Sequence, residues 1–140
     1  MKIAIINGPN LNLLGTREPE VYGSTTFEQY FQQLQQQYPQ VSFTYFQSNI
    51  EGELVTALQE AGTAADAIVL NPAAYTHTSV AIGDAIAAIQ PPVVEVHISN
   101  VHARESFRQV NYVSAKVVGT ITGLGLRGNQ LAVEYLVNRI

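Results

Sequence analysis

Lys2-Ile-Ala-Ile-Ile-Asn7, closed by Gly8-Pro9, is the stretch from which the fold is read. Four consecutive aliphatic residues show no polar alternation, so a strand made from them is covered on both faces, as strands of a parallel sheet are. Two downstream runs repeat the pattern: residues 67–70, ended by Asn71-Pro72, and residues 93–98, Val-Val-Glu-Val-His-Ile. Residues 41–47 alternate like a partly buried strand, and residues 116–120 supply a fifth.

Helical patterns separate these runs. Thr25 or Thr26 can cap a helix reaching about Tyr38, with Phe27, Tyr30, Phe31 and Leu34 on one face and Pro39 ending it. A second helix is expected from near Ile50 to about Gly62, with Leu54, Val55 and Leu58 turned inward. Residues 80–89 form a third, stopped by Pro91-Pro92, and residues 129–137 the last; a short helix is expected near 104–107. Residues 11–24 carry Gly15, Pro19 and Gly23 among polar residues and read as a long loop, a kind that is more often functional than connective. Apolar strands alternating with helices imply an α/β fold: a flavodoxin-like, doubly wound, five-stranded parallel sheet with helices on both faces. Residues 1–140 are expected to form one domain, with the ligand crevice beyond the carboxyl ends of the strands.

Composition narrows the function. A net charge of −4 gives no attraction to nucleic acid or to an anionic membrane, and the absence of cysteine excludes disulfides, a thiolate nucleophile and thiolate-held metals. The apolar run at the start is too short for a signal sequence or a membrane span, which points to a cytoplasmic protein. Charged residues make up 13% of the chain, about half the usual share. Either neutral residues such as the glutamines of 32–40 solvate the surface, or an assembly hides part of it.

The strand ends carry the polar residues of interest. Asn10 follows the first strand, with Arg17 and Tyr22 in the long loop; Asn71 and then His77 follow the third; Glu95 and His97 lie on the fourth. Residues two apart on a strand face the same way, so Glu95 can accept from one nitrogen of His97 and leave the other for the cleft. His77, His97 and His102 show no metal-binding spacing, and no metal site is expected. Gly123-Leu-Gly-Leu-Arg-Gly128 matches a dinucleotide fingerprint, yet it follows the last strand rather than the first and reads as a tight turn. A flavin- or nucleotide-binding module is the alternative on this fold, although Gly8-Pro9-Asn10 lacks a phosphate-cradling run.

Taken together, the Asn7-Gly-Pro-Asn-Leu-Asn-Leu-Leu-Gly15 stretch, Arg17-Glu-Pro-Glu-Val-Tyr22, Asn71 with His77-Thr-Ser79, and Glu95-Val-His-Ile-Ser-Asn-Val-His-Ala-Arg-Glu105 resemble the type II 3-dehydroquinate dehydratases along almost the whole chain. The resemblance implies a cofactor-free elimination of water from 3-dehydroquinate, through an enolate, in the shikimate pathway. It implies Tyr22 as the base, His97 as the acid, Arg17 as charge stabiliser and Asn10 as a holder of the water or leaving group. Asn71, His77, Arg108 and the Ile98-Ser99 segment would bind substrate, and Asp84 would reach a neighbouring subunit's site. A dodecamer built as a tetramer of trimers is the implied assembly. The other known chemistry for this reaction uses a Schiff base, and the two lysines, Lys2 and Lys116, fall at expected strand starts, the wrong end of the sheet.

Overall fold

The computed structural model describes residues 1–16 and 19–139, with Val21 and Tyr22 described by their backbone. Five strands, β1 (Lys2–Asn7), β2 (Ser42–Gln47), β3 (Ala67–Asn71), β4 (Val93–His97) and β5 (Gly119–Thr122), form one sheet in the order β2-β1-β3-β4-β5. Every neighbouring pair is parallel. The order reverses between β1 and β3, so the connections diverge there and leave a crevice above the carboxyl ends of those strands.

Period-two alternation divides the core between the two faces. Ile3, Ile5, Val69, Val94 and Val96 pack with Phe27, Leu34, Ala132 and Leu136 on one face. Ala4, Ile6, Ile68, Leu70 and Val93 pack with Leu54, Leu58, Ile82 and Ile86 on the other. The helices responsible are α2 (Phe27–Gln37) and α5 (Arg127–Val137) on the first face, α3 (Glu51–Ala64) and α4 (Val80–Ala87) on the second. The unbroken apolar runs of β1 and β3 are thereby accounted for: both strands have covered neighbours on both faces.

Local chemistry fixes the helix ends. Thr26 begins α2 with a capping box, its Oγ1 accepting from Gln29 N at 3.2 Å while Gln29 Oε1 accepts from Thr26 N at 3.0 Å. Ser79 caps α4 by accepting from Ile82 N at 2.9 Å. Helix α3 runs two residues past Gly62, where a stop was expected. Gly62 serves helix packing instead: a Cβ there would stand 2.5 Å from Ile89 Cγ2.

Four further expectations change. The 11–24 segment is not all loop, because Leu11–Leu13 forms a 3-10 turn and Pro19–Tyr22 one turn of helix, α1, with proline at its first position, where its missing N–H costs nothing. The fifth strand starts at Gly119 rather than Lys116: Lys116 N donates to Val113 O at 2.9 Å in a 3-10 turn, and pairing resumes with Val118 N to Val93 O at 2.9 Å. Helix α5 begins at Arg127, two residues ahead of Asn129. Residues 101–103 and 106–109 form two 3-10 turns in place of the one short helix expected near 104–107.

Candidate active site

A cleft of about 140 Å³ opens at the carboxyl ends of β1, β3 and β4. The turn after β1 contributes Pro9 and Asn10, β3 and the turn after it contribute Asn71, Ala73 and His77, and β4 and the residues after it contribute His97, Ile98 and Ser99. The first two turns are pressed together. Gly8 N donates to Asn71 O at 2.7 Å, and a Cβ on Gly8 would lie 2.7 Å from Pro72 O, so only glycine allows this approach. Asn10 follows in the left-handed region at φ 72°, which asparagine tolerates, and its N–H donates to Asn49 Oδ1 at 3.0 Å.

On β4 the side chains of Glu95 and His97 lie on the same face. His97 Nε2 donates to Glu95 Oε2 at 2.6 Å. Glu95 is fully buried and His97 is 6% exposed. With Nε2 committed, His97 keeps Nδ1 without a partner among the described residues, on a ring that lines the cleft. Burial alone would push the Glu95 carboxyl up. The hydrogen bond and charge of His97 outweigh it, aided by hydroxyl bonds from Ser114 and Thr76, and hold the carboxyl below its ordinary range.

His77, 8% exposed, is oriented by the backbone. Its Nδ1 lies 2.7 Å from Val110 O, and because a carbonyl only accepts, Nδ1 carries the proton and Nε2 is free for a ligand. Asn71, buried at the end of β3, turns its Oδ1 to Ala73 N at 3.0 Å, which leaves its amide hydrogens as donors. Ala73 itself sits at φ 52°, a strained conformation for a residue with a Cβ, at the cleft wall.

Among the described residues, two guanidinium groups give the cleft its positive side. Arg108 was expected there. Its Nε donates to Glu105 Oε2 at 2.5 Å and its guanidinium stands 5.3 Å from the Phe107 ring centre. That hydrogen bond, chiefly, holds the exposed Glu105 carboxyl below its ordinary range. Arg104 was not singled out in the sequence, yet it lines the cleft and donates Nη1 to Ser99 Oγ at 3.3 Å. Its position in the polar run after β4 was the available signal. An anion would find two fixed cations, neutral amide donors and an imidazole here, the set that suits a small hydroxylated carboxylate.

Asp84 does not line this cleft: it is exposed on the outer face of α4. Arg17 and the Tyr22 side chain lie outside the described residues. Lys2 opens β1 and Lys116 precedes β5, both at the amino ends of strands and both exposed. A second and larger groove, about 490 Å³, lies between β1, β2 and α3, but its walls are mostly aliphatic, with Lys2 and Glu60 at the rim. No helix among the described residues is long and apolar enough to cross a membrane.

Comparison with known proteins places this chain in a family. The family described as dehydroquinase class II matches residues 1–137. The catabolic 3-dehydroquinase of Verticillium alfalfae is 55% identical over 136 residues, covering 96% of this chain and 91% of that protein. The 3-dehydroquinate dehydratase of Photorhabdus laumondii is 48% identical over 140 residues, covering 99% and 93%. The crystal structure of the type II dehydroquinase from Butyrivibrio crossotus superposes with a TM-score of 0.94 at 42% identity, covering 99% of this chain and 98% of that one.

Proposed function

The chain belongs to the class II dehydroquinase family and is a 3-dehydroquinate dehydratase, and we propose that it works by an anti elimination through an enolate, with His97 as the acid and Tyr22 as the base. Tyr22 takes the proton from C2, the electron pair moves into the adjacent carbonyl as an enolate, and collapse of the enolate expels the C1 hydroxyl. That hydroxyl leaves as water with the Nδ1 proton of the His97 imidazolium, whose Nε2–H stays hydrogen-bonded to Glu95. The observation that carries this reading is the buried Glu95–His97 pair, 2.6 Å apart, in which a carboxylate anchors the ring through Nε2–H, balances the charge of its protonated form and leaves Nδ1 for the cleft.

The other roles follow from chemistry and position. Arg17 supplies positive charge to the phenolate and the enolate, because guanidinium stays protonated as the site dries. A phenol of ordinary pKa about 10 needs roughly 1.4 kcal/mol of preferential stabilisation of its anion for each unit of depression. Asn10 holds the departing water. Asn71, His77, Arg108 and the Ile98-Ser99 segment bind the carboxylate and ring hydroxyls, with Glu95 supporting His97. Closure of the segment bearing Arg17 and Tyr22 over the cleft would exclude water. The route uses side chains alone, without cofactor or metal.

The working unit we propose is cytoplasmic and dodecameric, a tetramer of trimers, with Asp84 reaching the site of an adjacent subunit. Exposure supports a contact face there: Val80 lies one turn before Asp84 on the same side of α4 and is 55% exposed.

The activity is tested by adding 3-dehydroquinate and following the rise of enone absorbance; no rise would overturn the functional reading. Borohydride added with substrate should leave the chain unmodified, whereas a trapped lysine adduct would replace the enolate route with a Schiff base.

A further inference from the structure

Glu95 is held on every side. Its Oε2 accepts from Thr76 Oγ1 and from His97 Nε2, each at 2.6 Å. Its Oε1 accepts from Ser114 Oγ at 2.6 Å and, more distantly, from Thr120 Oγ1 at 3.4 Å. Four donors around two oxygens match the ionised carboxylate, which only accepts. Thr76 comes from the turn after β3 and Ser114 from the turn before β5, so two separate segments converge on one buried charge.

We propose that Thr76 and Ser114 are positioning residues: their hydroxyls keep Glu95 ionised and turned so that Oε2 takes the Nε2–H of His97 and Nδ1 is left to the cleft. The proposal rests on the reading of His97 as the acid. Among the described residues, His97 is the charged group that acts on Glu95; the turn after β3, the turn before β5 and β5 itself present hydroxyls, and β3 offers Leu70 as register partner.

The segment carrying Ser114 is itself braced for this task. Asn111 Oδ1 accepts from Val113 N and Ser114 N at 2.7 Å each, closing the turn that presents the serine hydroxyl. Tyr112 N donates to Thr76 O at 2.8 Å, which ties the two hydroxyl-bearing segments together. Val110 O, four residues before Ser114, receives Nδ1–H of His77. Residues 110–114 thus form a strap that orients both cleft histidines, one through a carbonyl and one through Glu95, without lining the cleft.

Loss of either hydroxyl raises the proton affinity of Glu95, so its acid titration moves to higher pH. The test measures kcat and KM across pH for Ser114→Ala and Thr76→Val, with Ser114→Thr and Thr76→Ser as hydroxyl-retaining controls. Nitrogen NMR of the His97 ring reads its tautomer independently of turnover. The alanine and valine variants should shift the acid limb of kcat up by roughly one pH unit, with KM little changed and the Nε2–H preference weakened. The controls should restore both. Ser114 is half-buried at a turn, so its alanine variant decides the matter if Thr76→Val does not fold. A folded Ser114→Ala protein with a native acid limb and native tautomer overturns the proposal. Native turnover in His97→Ala would instead overturn the acid assignment, while the ring tautomer still reports whether the hydroxyls orient His97.

Discussion

Glu95 is a fully buried acid on a central strand, a placement that is unfavourable unless its charge is compensated, and here one imidazole and three hydroxyls surround it. Its folded-state carboxyl lies below the unfolded value of about 4.3. The stability it contributes is therefore present above that pH and is lost as pH falls through the lower folded value. Glu95→Gln removes this contribution, so denaturant titrations should show a larger loss of stability near pH 7 than near pH 3. Equal losses at both would mean that the charge plays no part. Tyr22→Phe keeps the ring and removes the base, and turnover should fall on the order of 10²- to 10⁴-fold; a near-native rate would remove Tyr22 from the mechanism. The Glu95–His97 pairing was legible because i, i+2 geometry on a strand follows from spacing alone. The hydroxyls that hold it were not, since Thr76 and Ser114 lie 19 residues before and after Glu95 and meet it only through the sheet.

At the scale of elements, the strands buried on both faces announce themselves through unbroken aliphatic runs, and the Thr25-Thr26 pair marks the start of α2 to within a residue. The elements read poorly were those made by tertiary contact. Helix α1 is a single turn, too short for a periodic signal, and β5 starts late because Lys116 is drawn into a turn that serves Ser114. Docking of α2 against α5 gives a separate prediction. Tyr30 on α2 accepts from Gln130 N at 3.1 Å, and burial, partly offset by that bond, pushes its pKa up to about 12. Between the unfolded value near 10 and about 12, the unfolded chain releases a proton that the folded chain retains, so stability falls as pH rises. Unfolding midpoints of Tyr30→Phe should be lower at neutral pH but decline less steeply across that window. An unchanged alkaline slope would assign the loss to other groups; Tyr38 and Tyr45, also raised by burial, leave a residual slope in either case.

For the whole molecule, low charge density has one observed contribution and one that belongs to the proposed assembly. The glutamines between 32 and 40 are exposed, so neutral amides do solvate α2 and the turn after it. Exposed Phe46, Ile50, Val80, Phe107 and Tyr112 are the apolar surface that an assembly would cover. Light scattering should give a mass near twelve subunits. If Asp84 completes a neighbour's site, mixing an inactive Asp84→Ala protein with an inactive His97→Ala protein, after dissociation and reassembly, should recover activity, since some sites then draw both intact residues from different chains. No recovery from reassembled mixtures would confine the site to one chain. The cleft and its side of the sheet were legible from strand order, because the switch point between β1 and β3 follows from the alternation of elements; Arg104 escaped because nothing in its spacing separates it from a surface arginine.

The most direct measurement of how the chain works is the enone absorbance produced from 3-dehydroquinate by wild-type protein and by His97→Ala, resolved into kcat and KM. With His97 as the acid, kcat should fall on the order of 10²- to 10⁴-fold while KM stays within a few-fold. A variant that keeps the native kcat and loses only affinity would contradict it, and His97 would be a binding residue.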